Sequence, residues 1–177
     1  MGQDLRALRR RCEARLRELS LPVPFDLDGF CQDLARRRHR PLRLRPVVAP
    51  VAPYGVWVAT PTSDYIFFEE DTSPLHRLHI ILHELSHVIC EHYPVPFQDV
   101  SISVDLFPDL RPDTIRLLLQ RTVYSTNEER EAELLATLLL ARITQSTPRP
   151  GSSDDSEARE VLHRLVSSLE DDDKRQS

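Results

Sequence analysis

Cysteine is scarce in this chain, and long hydrophobic runs are missing from it. The three cysteines, Cys12, Cys31 and Cys90, form no C-x-x-C motif, and an odd number argues against a disulfide framework. We therefore expect each of them to be a small core residue. No segment approaches the roughly 18 apolar residues of a membrane-spanning helix, and the first residues lack the apolar region of a secretion signal. The sequence thus predicts a cytoplasmic protein without a membrane segment.

Lysine is almost missing as well, because Lys174 is the only one and arginine supplies nearly all of the positive charge. We attribute this bias to a GC-rich genome rather than to a function. The charge is unevenly placed, with a basic region over residues 1–46 and an acidic end. A basic arm can approach nucleic acid or an acidic partner surface. The chain has no zinc finger, RNA-binding signature or interleaved aromatic residues, which argues against direct contact with nucleic acid.

The length and charge are those of an ordinary folded protein. With 177 residues and a formal net charge of -5, the chain is long enough to bury a real core. We expect one domain over residues 1–145, in which residues 1–20 form an N-terminal helix. A linker rich in serine and proline follows over 146–153. Residues 154–177 are predicted to form a C-terminal helix and an acidic tail.

Apolar periodicity predicts an α+β fold in which a small antiparallel sheet packs against one central helix. The predicted elements are helices over 3–19 and 26–38, strands over 41–48, 56–60 and 65–68, a helix over 74–93, a strand-like run over 97–104, and helices over 112–121, 127–143 and 155–169. Two helix starts have capping signals. Ser73 and Pro74 are typical of an N-cap and a first helical position, and Ser125 with Glu128 resembles a capping box.

The most informative segment is His83-Glu84-Leu85-Ser86-His87. Two histidines four apart project from the same face of a helix, so both imidazoles can reach one metal ion. Glu84 stands beside the first histidine and can take a proton from a water molecule at the metal. The alternative is that both histidines have only a structural role, with their hydrogen bonds made in the core or on the surface. The complete motif, with apolar residues on both sides, favours a metalloenzyme.

A catalytic zinc site needs a third protein ligand. The extended motif HExxHxxGxxH would place a histidine at position 93, and this residue is Tyr93. The remaining source is a glutamate from a later helix. The start of the helix predicted over 127–143 offers four, which are Glu128, Glu129, Glu131 and Glu133.

These two segments together resemble the ImmA/IrrE family of metallopeptidases. The HExxH helix is preceded by two short strands and followed by Glu129-Arg130-Glu131-Ala132-Glu133-Leu134-Leu135-Ala136. This second segment is similar to the family's third-ligand helix, which has a Glu-Ala step and an apolar run containing alanine. The resemblance covers roughly residues 20–143 and implies a zincin-like fold. It assigns the third ligand to the glutamate directly before the alanine, which is Glu131 here.

Helical geometry agrees with Glu131, because it lies on the same side as Leu134 and therefore towards the core. Glu128, one turn earlier, shares this side and is the alternative ligand. We expect Glu129 and Glu133 to belong to a solvated first turn.

The resemblance implies a metal-dependent peptidase that cleaves a separately encoded helix-turn-helix repressor and thereby switches on stress-response or mobile-element genes. His83, His87 and Glu131 would hold Zn²⁺, with Mn²⁺ as an alternative, and Glu84 would be the catalytic base. The rival interpretations are a non-catalytic protein that sequesters a regulator and a general cytoplasmic peptidase. The separation between the HExxH helix and the third-ligand helix is longer than is usual in the family. We expect the extra residues, within 95–123, to form either a substrate-facing insertion or a segment that only packs against the domain.

The sequence does not decide the roles of several other residues. Oxyanion stabilisation needs a donor near the metal, and Tyr124 and His163 are candidates by residue type alone. His76 and His79 extend the histidine stripe back along the same helix face. We expect these two to be ordinary residues of that face.

Overall fold

Helices and strands form close to where the apolar periodicity predicts them. The computed structural model describes residues 2–48, 55–60, 62–92, 95–96 and 124–146. Within these ranges the chain is an α+β fold whose elements are α1 (Gly2–Glu18), α2 (Leu27–Arg38), β1 (Leu42–Val47), β2 (Gly55–Ala59), β3 (Asp64–Glu69), α3 (Pro74–Ile89), β4 (Val95–Pro96) and α4 (Thr126–Ser146). The predicted elements over 97–104, 112–121 and 155–169, and the linker beyond Ser146, lie outside the described residues.

The sheet is mixed, and its strand order is β1-β3-β2-β4. The expected hairpin is confirmed, because β2 and β3 pair in antiparallel fashion. The expectation of an antiparallel sheet is wrong, since β1 pairs with β3 in parallel and β4 pairs with β2 in parallel. The reason is that β3 inserts between β1 and β2, which run in opposite directions, so it must be parallel to one of them. All six residues of β3 are buried, as expected of a strand covered on both faces.

Helix α3, which carries the HExxH motif, lies between the sheet and α4. Its residues Ile81, Leu82 and Leu85 are buried in the main hydrophobic cluster. On α4, Ala132 and Ala136 are fully buried, and small residues let two helices approach closely. Helix α1 packs against α4 in turn. The face of α3 that points away from the sheet is therefore covered by α4.

Both predicted capping signals are confirmed. The N–H of His76 donates to Ser73 Oγ at 3.3 Å, and Pro74 occupies the first turn of α3. At the start of α4, the N–H of Ser125 donates to Glu128 Oε2 at 2.8 Å, and the N–H of Glu128 donates to Ser125 Oγ at 3.3 Å. This reciprocal pair is a capping box, and such a cap contributes about 1 kcal/mol to helix stability. The side chain of Glu128 is thereby engaged as a cap.

The three cysteines are free and buried, as expected. Cys12 of α1 is fully buried, and Arg15, one turn further, donates from Nη1 to the carbonyl oxygen of Ile89 at 3.1 Å. This bond ties α1 to the C-terminal end of α3. In the ranges that the structure describes, no helix has the length and apolar character needed to cross a membrane.

Candidate metal centre

The two histidines of the motif converge as their spacing predicts. His83 and His87 lie one turn apart on α3, and their Nε2 atoms are 3.2 Å apart. The rings meet edge to face, with centroids 4.9 Å apart. His87 is fully buried, whereas the side chain of His83 is about one fifth exposed (21%). Both rings therefore present a nitrogen to the same point beside α3.

Glu129 of α4 supplies the third group at this point. Its Oε2 lies 3.3 Å from His83 Nε2 and 4.0 Å from His87 Nε2. One ligand atom from each of His83, His87 and Glu129 lies within 4.8 Å of the others, so this cluster could hold a metal ion. The carboxylate is only half-buried, with 47% of its side chain exposed. A site made this way has one side open to the exterior.

The spacing and chemistry of this cluster fit zinc. Two ligands at the corners of a tetrahedron, each about 2.0–2.1 Å from zinc, lie roughly 3.3 Å apart. Two of the three separations here, 3.2 and 3.3 Å, match that value, and the third is 4.0 Å. Two histidines and one glutamate are also a known donor set of catalytic zinc sites. When both histidine nitrogens are unprotonated, the three atoms present lone pairs to one point, where a cation could be held.

Glu133 orients His83 from the opposite side of its ring. His83 Nδ1–H donates to Glu133 Oε2 at 3.2 Å, and His79 Nε2–H donates to Glu133 Oε1 at 3.3 Å. With its proton on Nδ1, His83 keeps a free lone pair on Nε2, as a metal ligand requires. The hydrogen bonds from His79 and His83 hold the pKa of Glu133 well below its usual range. The expectation that Glu133 is merely solvated and His79 an ordinary face residue is therefore wrong.

Glu131, the predicted third ligand, does not face the histidine pair. Its Oε1 lies 3.7 Å from the Nε atoms of Arg11 and Arg15, and its Oε2 lies 3.7 Å from His92 Nε2. Glu131 therefore points towards α1. The candidate ligand set has Glu129 in its place.

Glu131 points away from the histidine pair because α4 is covered by other helices on two sides. The side shared by Glu131 and Leu134 is apolar, as predicted, but it faces α1. The side that faces α3 contains Ala132 and Ala136, both fully buried, and Glu129 precedes them by three and seven residues. The two alanines were the signal that could have identified Glu129, because small residues mark the face where two helices pack closely.

Glu84 is buried on the sheet side of the cluster. A Cβ atom added at Gly55, the first residue of β2, would lie 2.9 Å from Glu84 Oε1, so only glycine leaves room for this carboxylate. Glu84 Oε2 is buried and has no hydrogen-bond partner among the residues that the structure describes. Burial raises the pKa of Glu84 to about 7. The charge of His83 lowers this pKa, and the charge of Glu129 raises it further. Such a carboxyl group can gain and lose a proton near neutral pH.

Tyr124, just before α4, stacks on His87, with ring centroids 3.6 Å apart and planes inclined by 21°. Its hydroxyl is buried and has no hydrogen-bond partner within the described ranges. Burial, together with the charges of Glu84 and Glu129, raises the pKa of Tyr124, so the hydroxyl remains a donor at neutral pH. His163, the other candidate donor, lies outside the described residues.

No family model, curated protein or solved structure matches this chain. The resemblance to the ImmA/IrrE family therefore stays a prediction.

We expect metal affinity to rise with pH up to the pKa of His83. Burial alone would lower the pKa of His83, but the hydrogen bond to Glu133 and the charges of Glu84 and Glu133 outweigh it and raise this pKa. Burial, with His83 and His92 nearby, lowers the pKa of His87 to about 3. His83 therefore carries the proton that a metal must displace. Below its pKa, affinity should fall about tenfold per pH unit, with one proton released for each metal bound.

This pH dependence can be measured by titration calorimetry with Zn²⁺ in buffers of different ionisation enthalpy. His76→Gln, which changes an exposed histidine at the start of α3, should leave proton release unchanged. An affinity that is constant between pH 5.5 and 7 would contradict the expectation.

Proposed function

We propose that this protein is a zinc-dependent endopeptidase of the zincin type, in which His83, His87 and Glu129 hold Zn²⁺ and Glu84 is the catalytic base. Mn²⁺ is the alternative metal. The observation that carries the proposal is the convergence of these three ligand atoms within 4.8 Å beside a buried carboxyl group whose pKa is raised to about 7.

Each residue then has a defined task. The metal, when bound, supplies Lewis-acid chemistry, which polarises a peptide carbonyl and makes water more acidic. Glu84 takes a proton from the attacking water and returns it to the leaving amine. Burial raises the pKa of Glu84 in the metal-free site, and a general base and acid works best when it titrates near the working pH. Tyr124, whose ring stacks on His87 and whose buried hydroxyl has no hydrogen-bond partner among the described residues, is the candidate donor to the oxyanion that would develop on the substrate.

The burial of Glu84 favours catalysis over sequestration of a regulator. A buried carboxylate oxygen without a partner costs free energy, and Glu84 Oε2 is in this position among the described residues. A protein that only binds a regulator gains nothing from that cost. A base that must receive a proton from water needs a free oxygen atom. The raised pKa and the unpartnered oxygen atom are therefore better explained by chemistry at Glu84.

The proposed substrate is a helix-turn-helix repressor encoded separately, and this rests on the resemblance to the ImmA/IrrE family alone. The test is co-expression of the protein with a repressor encoded beside it. Wild type should remove the full-length repressor and produce fragments, whereas Glu84→Gln should leave the repressor intact.

Two other results would contradict parts of the proposal, the first in the co-expression experiment and the second in a parallel assay with another protein. Derepression by the Glu84→Gln variant without cleavage would indicate a regulator-binding protein. Equal loss of an unrelated unfolded protein, such as casein, would indicate a general peptidase.

A further inference from the structure

His92 follows the HExxH helix and folds back onto it. The chain turns at Glu91, whose φ of 58° lies in the left-handed region, which is unfavourable for a non-glycine residue. After this turn the N–H of His92 donates to the carbonyl oxygen of His87 at 3.0 Å. The side chain of His92 is buried, and its Nδ1 lies 2.9 Å from His87 Nδ1. His92 therefore contacts His87 on the ring edge opposite the metal site.

The far edge of the His92 ring faces Glu131. His92 Nε2 lies 3.7 Å from Glu131 Oε2. The other oxygen of Glu131 lies 3.7 Å from the Nε atoms of Arg11 and Arg15, which belong to α1. Glu131 thus lies between α1 and His92 at ion-pair distance from both, although its Oε1 accepts no hydrogen bond within the described residues. The contacts form one row from His87 through His92 and Glu131 to the arginines.

The order of these contacts bears on which nitrogen of His87 carries a proton. Two Nδ1 atoms 2.9 Å apart make a hydrogen bond only if one of them carries the hydrogen. If His92 carries its proton on Nε2, towards the Glu131 carboxylate, its Nδ1 accepts from His87 Nδ1–H. The Nε2 lone pair of His87 is then free to face His83 and Glu129.

The opposite arrangement would disable the site. If His92 donated from Nδ1, His87 would carry its proton on Nε2, and this hydrogen would occupy the position of the metal. The negative charge of Glu131 favours a proton on the nitrogen of His92 that faces it, which selects the first arrangement.

We propose that His92 and Glu131 are positioning residues that hold His87 in the tautomer able to bind a metal. This rests on the proposed metal site. His83 receives the same control directly from Glu133, in the common pattern where a carboxylate accepts from the second nitrogen of a ligand histidine. At His87 the carboxylate acts through an intervening histidine. Helix α1 is thereby linked to the metal site, because it supplies the arginines that hold Glu131.

The tautomer can be read directly in metal-free protein by long-range ¹H–¹⁵N correlation spectra of the histidine rings. His87 of the wild type should carry its proton on Nδ1. Glu131→Gln and His92→Phe should both populate the Nε2–H form, since one removes the charge and the other the acceptor. Glu133→Gln, the matched control, should alter the His83 signals and leave those of His87 unchanged.

Zinc affinity, measured by competition with a chromogenic chelator, is the second readout. His92→Phe should weaken zinc binding by about 10–100-fold, which is typical of residues that orient a ligand. His92→Asn should recover most of this loss, because its side-chain oxygen can accept from His87 Nδ1–H. Zinc affinity within twofold of wild type in both His92→Phe and Glu131→Gln would overturn the proposal, and so would a wild-type His87 protonated on Nε2.

The two proposals fail in different ways. If the wild type binds zinc but the substitutions change neither the tautomer nor the affinity, the positioning role is wrong and the metal site stands. If the wild type binds no zinc, the proposed function is wrong, and the spectra of the metal-free protein still decide the tautomer. Should His92→Phe fail to fold, the wild-type spectrum and Glu131→Gln provide the same decision.

Discussion

Glu84→Gln is expected to abolish peptide cleavage and to leave zinc bound. Glutamine keeps the size of the side chain but cannot accept a proton, and loss of a general base lowers the rate by about 10²–10⁴-fold. Glu84 is outside the ligand set of His83, His87 and Glu129, so metal affinity should stay within a fewfold of wild type. Cleavage of a purified substrate and the zinc content of the same preparation measure the two effects. Activity retained in this variant would exclude the mechanism.

The same substitution should stabilise the metal-free protein at neutral pH. Burial raises the pKa of Glu84 from 4.5 to about 7, so in this window the folded state binds more protons than the unfolded state. Stability must therefore fall as pH rises from about 4.5 to about 7, and the loss is fully present above that range. Each pH unit across the window corresponds to about 1.4 kcal/mol. Glu84→Gln avoids the loss, and its advantage should reach roughly 3 kcal/mol.

Urea unfolding of both metal-free proteins at pH 5 and pH 8 measures this advantage. Glu13→Gln, at an exposed position of α1, is the control and should show no such pH-dependent gain. A variant that is less stable than wild type at pH 8, or an advantage that does not change with pH, would show that ionisation of Glu84 does not destabilise the folded protein.

Glu129→Ala is expected to cause the largest loss of metal affinity among the glutamates of α4. Its Oε2 lies 3.3 Å from His83 Nε2, and its removal leaves two protein ligands where a catalytic zinc site has three. We expect a loss on the order of 10³-fold, above the 10–100-fold that is typical of residues outside the ligand set. Chelator competition gives the affinity, and the absorption spectrum of the Co²⁺-loaded protein reports the change in coordination.

Two neighbouring glutamates are matched controls for Glu129. Glu128→Ala removes the capping box and should cost about 1 kcal/mol of stability without a change in the Co²⁺ spectrum. Glu131→Gln should weaken zinc binding but keep the spectrum of a site with three protein ligands. The reverse pattern, in which Glu131→Gln loses the metal and Glu129→Ala keeps it, would assign the third ligand to Glu131.

Sequence patterns predicted those features that depend on residues close together in the chain. His83 and His87 share a helix face because the helical repeat alone places residues four apart on one side. The starts of α3 and α4 follow from Ser73 with Pro74 and from the Ser125 capping box, whose partners are three residues apart. The strands β2 and β3 pair as predicted because a short turn joins them.

The tertiary structure decided which glutamate faces the metal site. Glu129 and Glu131 are two residues apart, so they point in directions about 200° apart around the α4 axis. Both directions lead to buried surface, because α3 covers one side of α4 and α1 covers the other. An apolar stripe shows that a side is buried but does not show which helix buries it. The prediction of an antiparallel sheet was wrong because the parallel pairing of β1 with β3 depends on where β3 inserts, which is also a matter of tertiary structure.

Local periodicity therefore determined the histidine pair, the position of Glu84 beside it and the helix that carries them. The packing of α4 between α3 and α1 determined the rest of the candidate site: Glu129 as the third member of the cluster, Glu133 as the partner of His83, and Glu131 as the partner of His92. These assignments depend on contacts between residues far apart in the chain, and no spacing along one helix can supply them.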